Sequence, residues 1–231
     1  MRPVIVGGWV QDRIVAEQEL ASADGDTTLA SAERTKAFTD AVVAIAMTLL
    51  ILPLMESVVE ASREDGTAAE WFTENLGELL FFVLSFVLIA AFWLSHHRLF
   101  ERIHHVTGPL LILNFAWMFT IVWLPVATAT FGLVPNDVVQ KTLYIGALFS
   151  TSVIMAVLGL YVLRHPELHR IPPQRLRSGI LAEVIASVVF AITFVVAVAF
   201  PAIGYWSMVL LVLVGPVHAV LDRSLLRPAG R

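Results

Sequence analysis

The chain has 231 residues, 58% hydrophobic and 15% charged, with a net charge of −4 and no cysteine. Soluble domains hold about 45–50% apolar residues, so this composition, with a mean hydropathy of +0.79, excludes an ordinary soluble fold and points to an all-α integral membrane protein. The missing cysteines exclude a disulfide framework, a thiolate metal site and a thiol nucleophile, and the lack of a basic stripe excludes nucleic acid as a partner.

Residues 1–33 hold one apolar run, Val4 to Val10, which Gln11, Asp12 and Arg13 cut off before it reaches the length of a signal peptide or a span. Residues 21–30 are small and polar and cannot bury enough apolar surface to order themselves. The segment reads as a flexible cytoplasmic arm with a short helix over 13–20. About 20 apolar residues cross roughly 30 Å of hydrocarbon, and spans are predicted over residues 37–55, 76–95, 109–134, 143–163, 179–201 and 205–221, the last interrupted by Pro216 and His218. Pro201 and Gly204 predict a tight hairpin before it. There is no internal repeat. The chain therefore divides into the arm, one six-helix membrane domain over residues 34–222, and a basic cytoplasmic tail over 223–231.

Orientation follows from the cations, which are retained on the cytoplasmic side. Thirteen of the fifteen Lys and Arg residues fall in the arm, the second and fourth loops and the tail, leaving only Arg63 and Lys141 opposite. Both termini are thus cytoplasmic. The first outer loop is acidic, with Glu56, Glu60, Glu64, Asp65, Glu70 and Glu74. It can concentrate cations or simply be a solvated loop.

On the first predicted helix, Ala41, Ile45, Thr48 and Leu52 recur at helical spacing and share one face. Ala37, Ala41, Ala44 and Thr48 form a small-residue stripe along it, and such stripes let helices approach closely. From spacing alone, a packing seam is the preferred reading. Arg34 and Asp40 at the start of this helix are costly near a bilayer and call for partners on another helix.

The second span ends in His96 and His97, with His104 and His105 close behind. Their spacing makes no i, i+4 pair, which argues against a metal or haem site. One histidine is expected to pair inward with Asp40, with Trp93 in the interfacial belt. Asn114 lies deep in the third span and must bond another helix. Glu183 in the fifth span is read as an interfacial carboxylate paired near Arg175 and Arg177, and Glu78 similarly at the other surface. No Gly-rich phosphate loop, zincin helix or nucleophile elbow is present, so the chain does not read as an enzyme. The potassium filter sequence TVGYG is also missing, so any ion path must be lined by side chains.

The stretch Arg34-x-x-x-Phe38-Thr39-Asp40, followed by Ile45, Thr48, Leu52 and Pro53, resembles the RxxxFSD first helix of the transmembrane protein 175 family of potassium channels. Trp93-x-x-His96-x-Arg98-Leu99-Phe100 is similar to the end of that family's second helix, and Asn114 with Leu124-Pro125 resembles its third. The resemblance implies a prokaryotic member: a six-helix subunit used as a homotetramer in the plasma membrane, with the first helix lining a central pore and potassium as the permeant ion. Carried over by position, it implies Ile45 and Leu52 as apolar constrictions, Thr48 as the selectivity layer, Arg34, Thr39, Asp40 and His96 as a structural polar network, and Phe38, Trp93 and Asn114 as motif packing. Thr39 replaces the family serine. No cofactor or metal is implied, and the partners are the lipid bilayer and further copies of the chain. Two other readings stay open: a proton-conducting or proton-coupled transporter using Asp40, His96 and Glu183, and a histidine-rich membrane enzyme or haem protein.

Overall fold

In lipid no water is available to backbone N–H and C=O groups, so a chain this apolar crosses as helices that satisfy those groups internally. The computed structural model describes residues 32–63, 67–130 and 138–200. It is all-helical: α1 (residues 32–49), α2 (Leu52–Arg63), α3 (Ala68–Glu74), α4 (Leu76–Phe100), α5 (Gly108–Ala129), α6 (Val138–Arg164) and α7 (Pro173–Ala199). Among the described residues five helical stretches are long and apolar enough to span a membrane, the first running through α1 and α2 as Ala32–Ser62. Residues 1–31 of the arm, the end of the third predicted span, the hairpin at Pro201 and Gly204, the sixth span and the tail lie outside the described residues, and Ala32 and Glu33, expected in the arm, instead begin α1.

Several helices run past the predicted spans. α4 continues to Phe100 and α7 starts at Pro173, because hydropathy marks the hydrocarbon slab whereas a helix continues to its caps. Proline at the first helical position suits α7, since its missing N–H would have no intrahelical partner there. The acidic segment predicted as a loop is instead mostly helix. α2 carries Glu56 and Glu60, and α3 is started by Thr67. The Thr67 backbone N–H donates to Glu70 Oε2 at 2.8 Å, and Thr67 Oγ1 accepts from the Glu70 N–H at 3.3 Å. These reciprocal bonds form a capping box. The same Thr67 donors hold the Glu70 carboxyl below its usual range, so the cap weakens as acidification protonates it.

Between α1 and α2 the helix is interrupted at residues 50–51. Pro53 has no N–H to give the Leu49 carbonyl, and the Ile51 N–H turns to Thr48 O at 3.3 Å, a tighter bond than the α-helical one.

Each helix has an inner face that packs and an outer face that is also apolar. On α5, Leu110, Trp117, Ile121 and Leu124 are buried, whereas Ile112, Phe115 and Phe119 point outward. Water would oppose that outer face and lipid does not. α6 is the central helix, packed most extensively against α7 and α5. Between helices, hydroxyl pairs supply polar contacts: Ser85 to Tyr144 at 2.9 Å, Thr128 to Ser85 at 3.0 Å and Thr151 to Thr120 at 2.9 Å. Each is worth about 1 kcal/mol in a bilayer.

Lys141, expected on the outer surface, is instead buried inside α6. Its Nζ donates to the Ala197 carbonyl at 2.9 Å, placing a cation at the negative end of α7. At the opposite end of the bundle the α4–α5 and α6–α7 connections are tied by an isolated bridge between Ile103 and His169, with the His104 N–H donating to Leu168 O at 2.9 Å.

α6 and α7 come close at Gly159, where a Cβ would lie 2.8 Å from Ile180 Cγ1. Gly159→Val is therefore expected to destabilise the chain by about 1–3 kcal/mol, read as a lower unfolding temperature in detergent, while Gly146→Ala, which meets nothing within 4 Å, leaves that temperature unchanged or raises it slightly.

Candidate functional site

Polar groups in the apolar interior must bond one another, and this requirement sets how α1 is seated. Its inner face buries Thr39, Val43, Ala46 and Leu50. The Thr39 hydroxyl donates to the Thr35 carbonyl at 2.9 Å, so its oxygen is left as an acceptor, and Asn114 Nδ2 on α5 donates to it at 2.9 Å. That fixes the amide with Oδ1 toward α4, where it accepts from His96 Nε2 at 2.7 Å. The histidine tautomer follows from this chain of bonds: Nε2 carries a proton. The His96 ring is stacked between Phe100 and Trp117, both centroids 4.1 Å away. Three helices are thus joined by one continuous line of side-chain bonds, buried from end to end.

Asp40 follows Thr39 and so points about 100° around the helix. It does not meet His96. Its Oδ1 accepts from Trp93 Nε1 at 2.8 Å, and His97 Nδ1 lies 3.8 Å away. The histidine beside the carboxylate is therefore His97, half-exposed, and not the inward-facing His96, and Trp93, expected as an interfacial anchor, bonds it. Lys36 bonds Glu33 at 2.8 Å and the Glu101 carbonyl at 3.3 Å, adding a tie from the first turn of α1 to the end of α4. Arg34 is exposed and lines a shallow cavity between α1 and α5 with Phe38 and Asn114. Phe38 makes an edge contact with Phe115, centroids 6.2 Å apart, and remains 53% exposed.

The opposite face of α1 carries Ala41, Ile45 and Thr48, continued by Leu52 at the start of α2, and all four are exposed in the single chain. Ile45 is 59% and Leu52 51% exposed. Thr48 Oγ1 donates to the Ile45 carbonyl at 2.7 Å, which uses its proton and leaves the oxygen as an acceptor. Beyond the interruption, Glu56 and Glu60 line a cavity of about 220 Å³ with Pro53, Glu78 and Thr128.

Glu183 does not pair with Arg175 or Arg177 as expected. It is buried and accepts from the Ser95 hydroxyl at 2.6 Å, a partner that helix spacing in α4 alone could not single out. The histidines diverge: His96 points inward, His97 toward Asp40, and His104 and His105 lie in the connection beyond α4. Among the described residues no three His, Cys, Asp or Glu side chains gather as metal ligands.

Residues 34–125 match the family model described as "Endosomal/lysosomal potassium channel TMEM175". A zebrafish (Danio rerio) protein named endosomal/lysosomal proton channel TMEM175 is 26% identical over 62% of this chain and 27% of its own length, so the present chain spans about a quarter of that relative. A Streptomyces collinus protein named a potassium channel is 33% identical over 42% of this chain and 45% of its own. In fold, the chain is similar to the crystal structure of a lysosomal potassium-selective channel TMEM175 homolog from Chamaesiphon minutus. That match has a TM-score of 0.61 at 20% identity, covering 84% of this chain and 98% of that one.

Removing Asn114 leaves the buried His96 N–H without an acceptor, so Asn114→Ala is expected to cost about 1–3 kcal/mol. Thr39→Val combined with it should cost less than the sum of the two single changes, because both break the same line of bonds. Thermal unfolding of the four proteins in one detergent measures both effects; strict additivity would mean that the two residues act separately.

Proposed function

We propose, from the match of residues 34–125 to the TMEM175 family model, that the chain is a member of that family and assembles as a homotetramer whose four α1 helices surround a potassium-preferring cation pore. The setting is a prokaryotic plasma membrane, with six spans per subunit and both termini cytoplasmic. The observation that carries this reading is the face of Ala41, Ile45, Thr48 and Leu52, turned away from its own bundle while Thr39, Val43, Ala46 and Leu50 are buried in it. A lipid-facing surface such as that of Ile112, Phe115 and Phe119 is large and apolar. The α1 face has Ala41 one turn before Ile45 and a hydroxyl, Thr48, between its two large residues, which suits close approach of like helices around an axis.

In such an assembly four Ile45 side chains form an apolar collar that dewets when narrow. Four Thr48 oxygens lie one turn outward. Their protons are given to the Ile45 carbonyls, so a passing cation meets lone pairs that replace part of its water. Potassium gives up water more readily than sodium and is favoured, modestly. Leu52 forms a second ring beside the Pro53 interruption, where the helix can bend without breaking a full α-helical ladder. Glu56 and Glu60 raise the local cation concentration at the outer mouth. The bonds of Thr39, Asn114 and His96, with those of Asp40 and Trp93, hold α1 in register while the pore face moves.

A second reading, proton permeation, is favoured by the proton-channel name of the zebrafish relative and by the proximity of Asp40 and His97 on this chain. Dye-reported proton entry without potassium flux would select it.

Purified chain in liposomes is expected to pass potassium. Ile45→Asn should raise resting flux roughly tenfold by wetting the collar, and absence of potassium flux together with an inert Ile45→Asn would refute the pore. Thr48→Ala is expected to lower the potassium-to-sodium permeability ratio by a factor on the order of 2–10, the scale of one contact of about 0.5–1.5 kcal/mol. An unchanged ratio would remove Thr48 from the selective layer.

A further inference from the structure

Away from α1, the end of the bundle that carries the α4–α5 connection contains a cavity of about 520 Å³ between α4, α6 and α7. We propose that this cavity binds the headgroup and upper acyl chain of an anionic phospholipid. Its rim holds three guanidinium groups from three parts of the chain: Arg98 from the last turn of α4, Arg102 from the connection beyond it, and Arg175 from the first turn of α7. None of the three is ion-paired among the described residues. Glu101 is the acidic residue on the same rim, so the mouth is net positive. At the deep end Glu183 is occupied by the Ser95 hydroxyl, and the wall between is apolar, with Met155 and Ile180.

The space exists because Gly179, where a Cβ would meet nothing within 4 Å, and Ala182 stand where larger side chains would fill it. The rim is also pre-set. The Ile103–His169 bridge and the Arg170 N–H bonded to Arg102 O at 3.4 Å clamp the two connections together, which fixes the span between Arg102 and Arg175. A lone arginine at a helix end simply snorkels into the headgroup layer. Three converging on one cavity with an apolar interior instead match a ligand that is phosphate at one end and hydrocarbon at the other, and basic pockets between membrane helices suit such headgroups. A free anion would use the rim and leave the apolar wall uncovered. No residue of α1 lines the cavity, so this site and the pore stand or fall separately.

The test is the unfolding temperature of the full chain in a neutral detergent, titrated with phosphatidylglycerol, with phosphatidylcholine and with inorganic phosphate, since a ligand that binds only the folded state raises it. Phosphatidylglycerol is expected to raise the unfolding temperature and the other two to leave it unmoved. The combined variant Arg98→Gln, Arg102→Gln, Arg175→Gln should bind phosphatidylglycerol on the order of tenfold or more weakly. Ala182→Phe, which fills the cavity and keeps every charge, should also lose the response, and it decides alone if the triple variant does not fold. A response retained by Ala182→Phe would overturn the site in favour of surface attraction. An equal response to phosphatidylcholine would overturn it as general lipid solvation, and a response reproduced by phosphate would make it a free-anion site. No response to phosphatidylglycerol would overturn it too, as expected if residues 201–231 or a second copy of the chain already fill the cavity.

Discussion

The line of hydrogen bonds from His96 through Asn114 to Thr39 decides which face of the first helix is left over. In a bilayer the hydrophobic effect does not choose between faces of an apolar helix, because lipid and protein interior are alike; polar bonds and packing choose instead. Thr39 must face α5 to take the Asn114 amide proton, and Asp40, one residue on, must then face α4, where the Trp93 N–H meets it. With those two contacts set, the helical repeat leaves Ile45 and Thr48 on the outside. Rotation by one residue would bury the Asp40 carboxylate among stacked aromatic rings and leave the Asn114 amide N–H without its acceptor. Either change is costly in low dielectric.

The same economy recurs through the bundle. Ser85, Thr128 and Tyr144 join α4, α5 and α6 at one depth, and Thr120 and Thr151 join α5 and α6 at another. These contacts make α4 to α7 a scaffold against which α1 is held by its first turns. Beyond Thr48 the tight turn before Pro53 breaks the continuity of the helix. A pore built on α1 would therefore be anchored at the end that carries Thr39 and freer toward the end where Glu56 and Glu60 stand.

Much of this was legible in the sequence, and the exceptions have physical causes. Hydropathy located the five described spanning stretches but not their ends: α7 begins at Pro173, ahead of the apolar run, because Arg175 and Arg177 sit in its polar first turns. The Thr67-x-x-Glu70 cap that starts α3 was readable in principle, yet the acidic composition around it suggested a loop. Lys141 looked like an outer-surface cation because apolar windows cannot see that the Ala197 carbonyl would cover it. Adjacent histidines posed the hardest problem. Helical geometry says that His96 and His97 point apart; only the positions of Trp117 and Asn114 on another helix determine that His96 is the one inside. The exposed stripe of Ile45, Thr48 and Leu52 was visible as a period, but its role rests on the resemblance, since one chain cannot reveal what covers an outer face.

Because the natural chain has no cysteine, a thiol can be placed at one position at a time and challenged with a charged, membrane-impermeant methanethiosulfonate during potassium flux from liposomes. Thr48→Cys puts it on the free face of α1, and Ile112→Cys puts it on the lipid-facing surface of α5, where the native side chain is 70% exposed. A water-filled path along α1 predicts that the reagent blocks flux through Thr48→Cys and leaves Ile112→Cys conducting. Flux through Thr48→Cys that continues unchanged after complete labelling would contradict it.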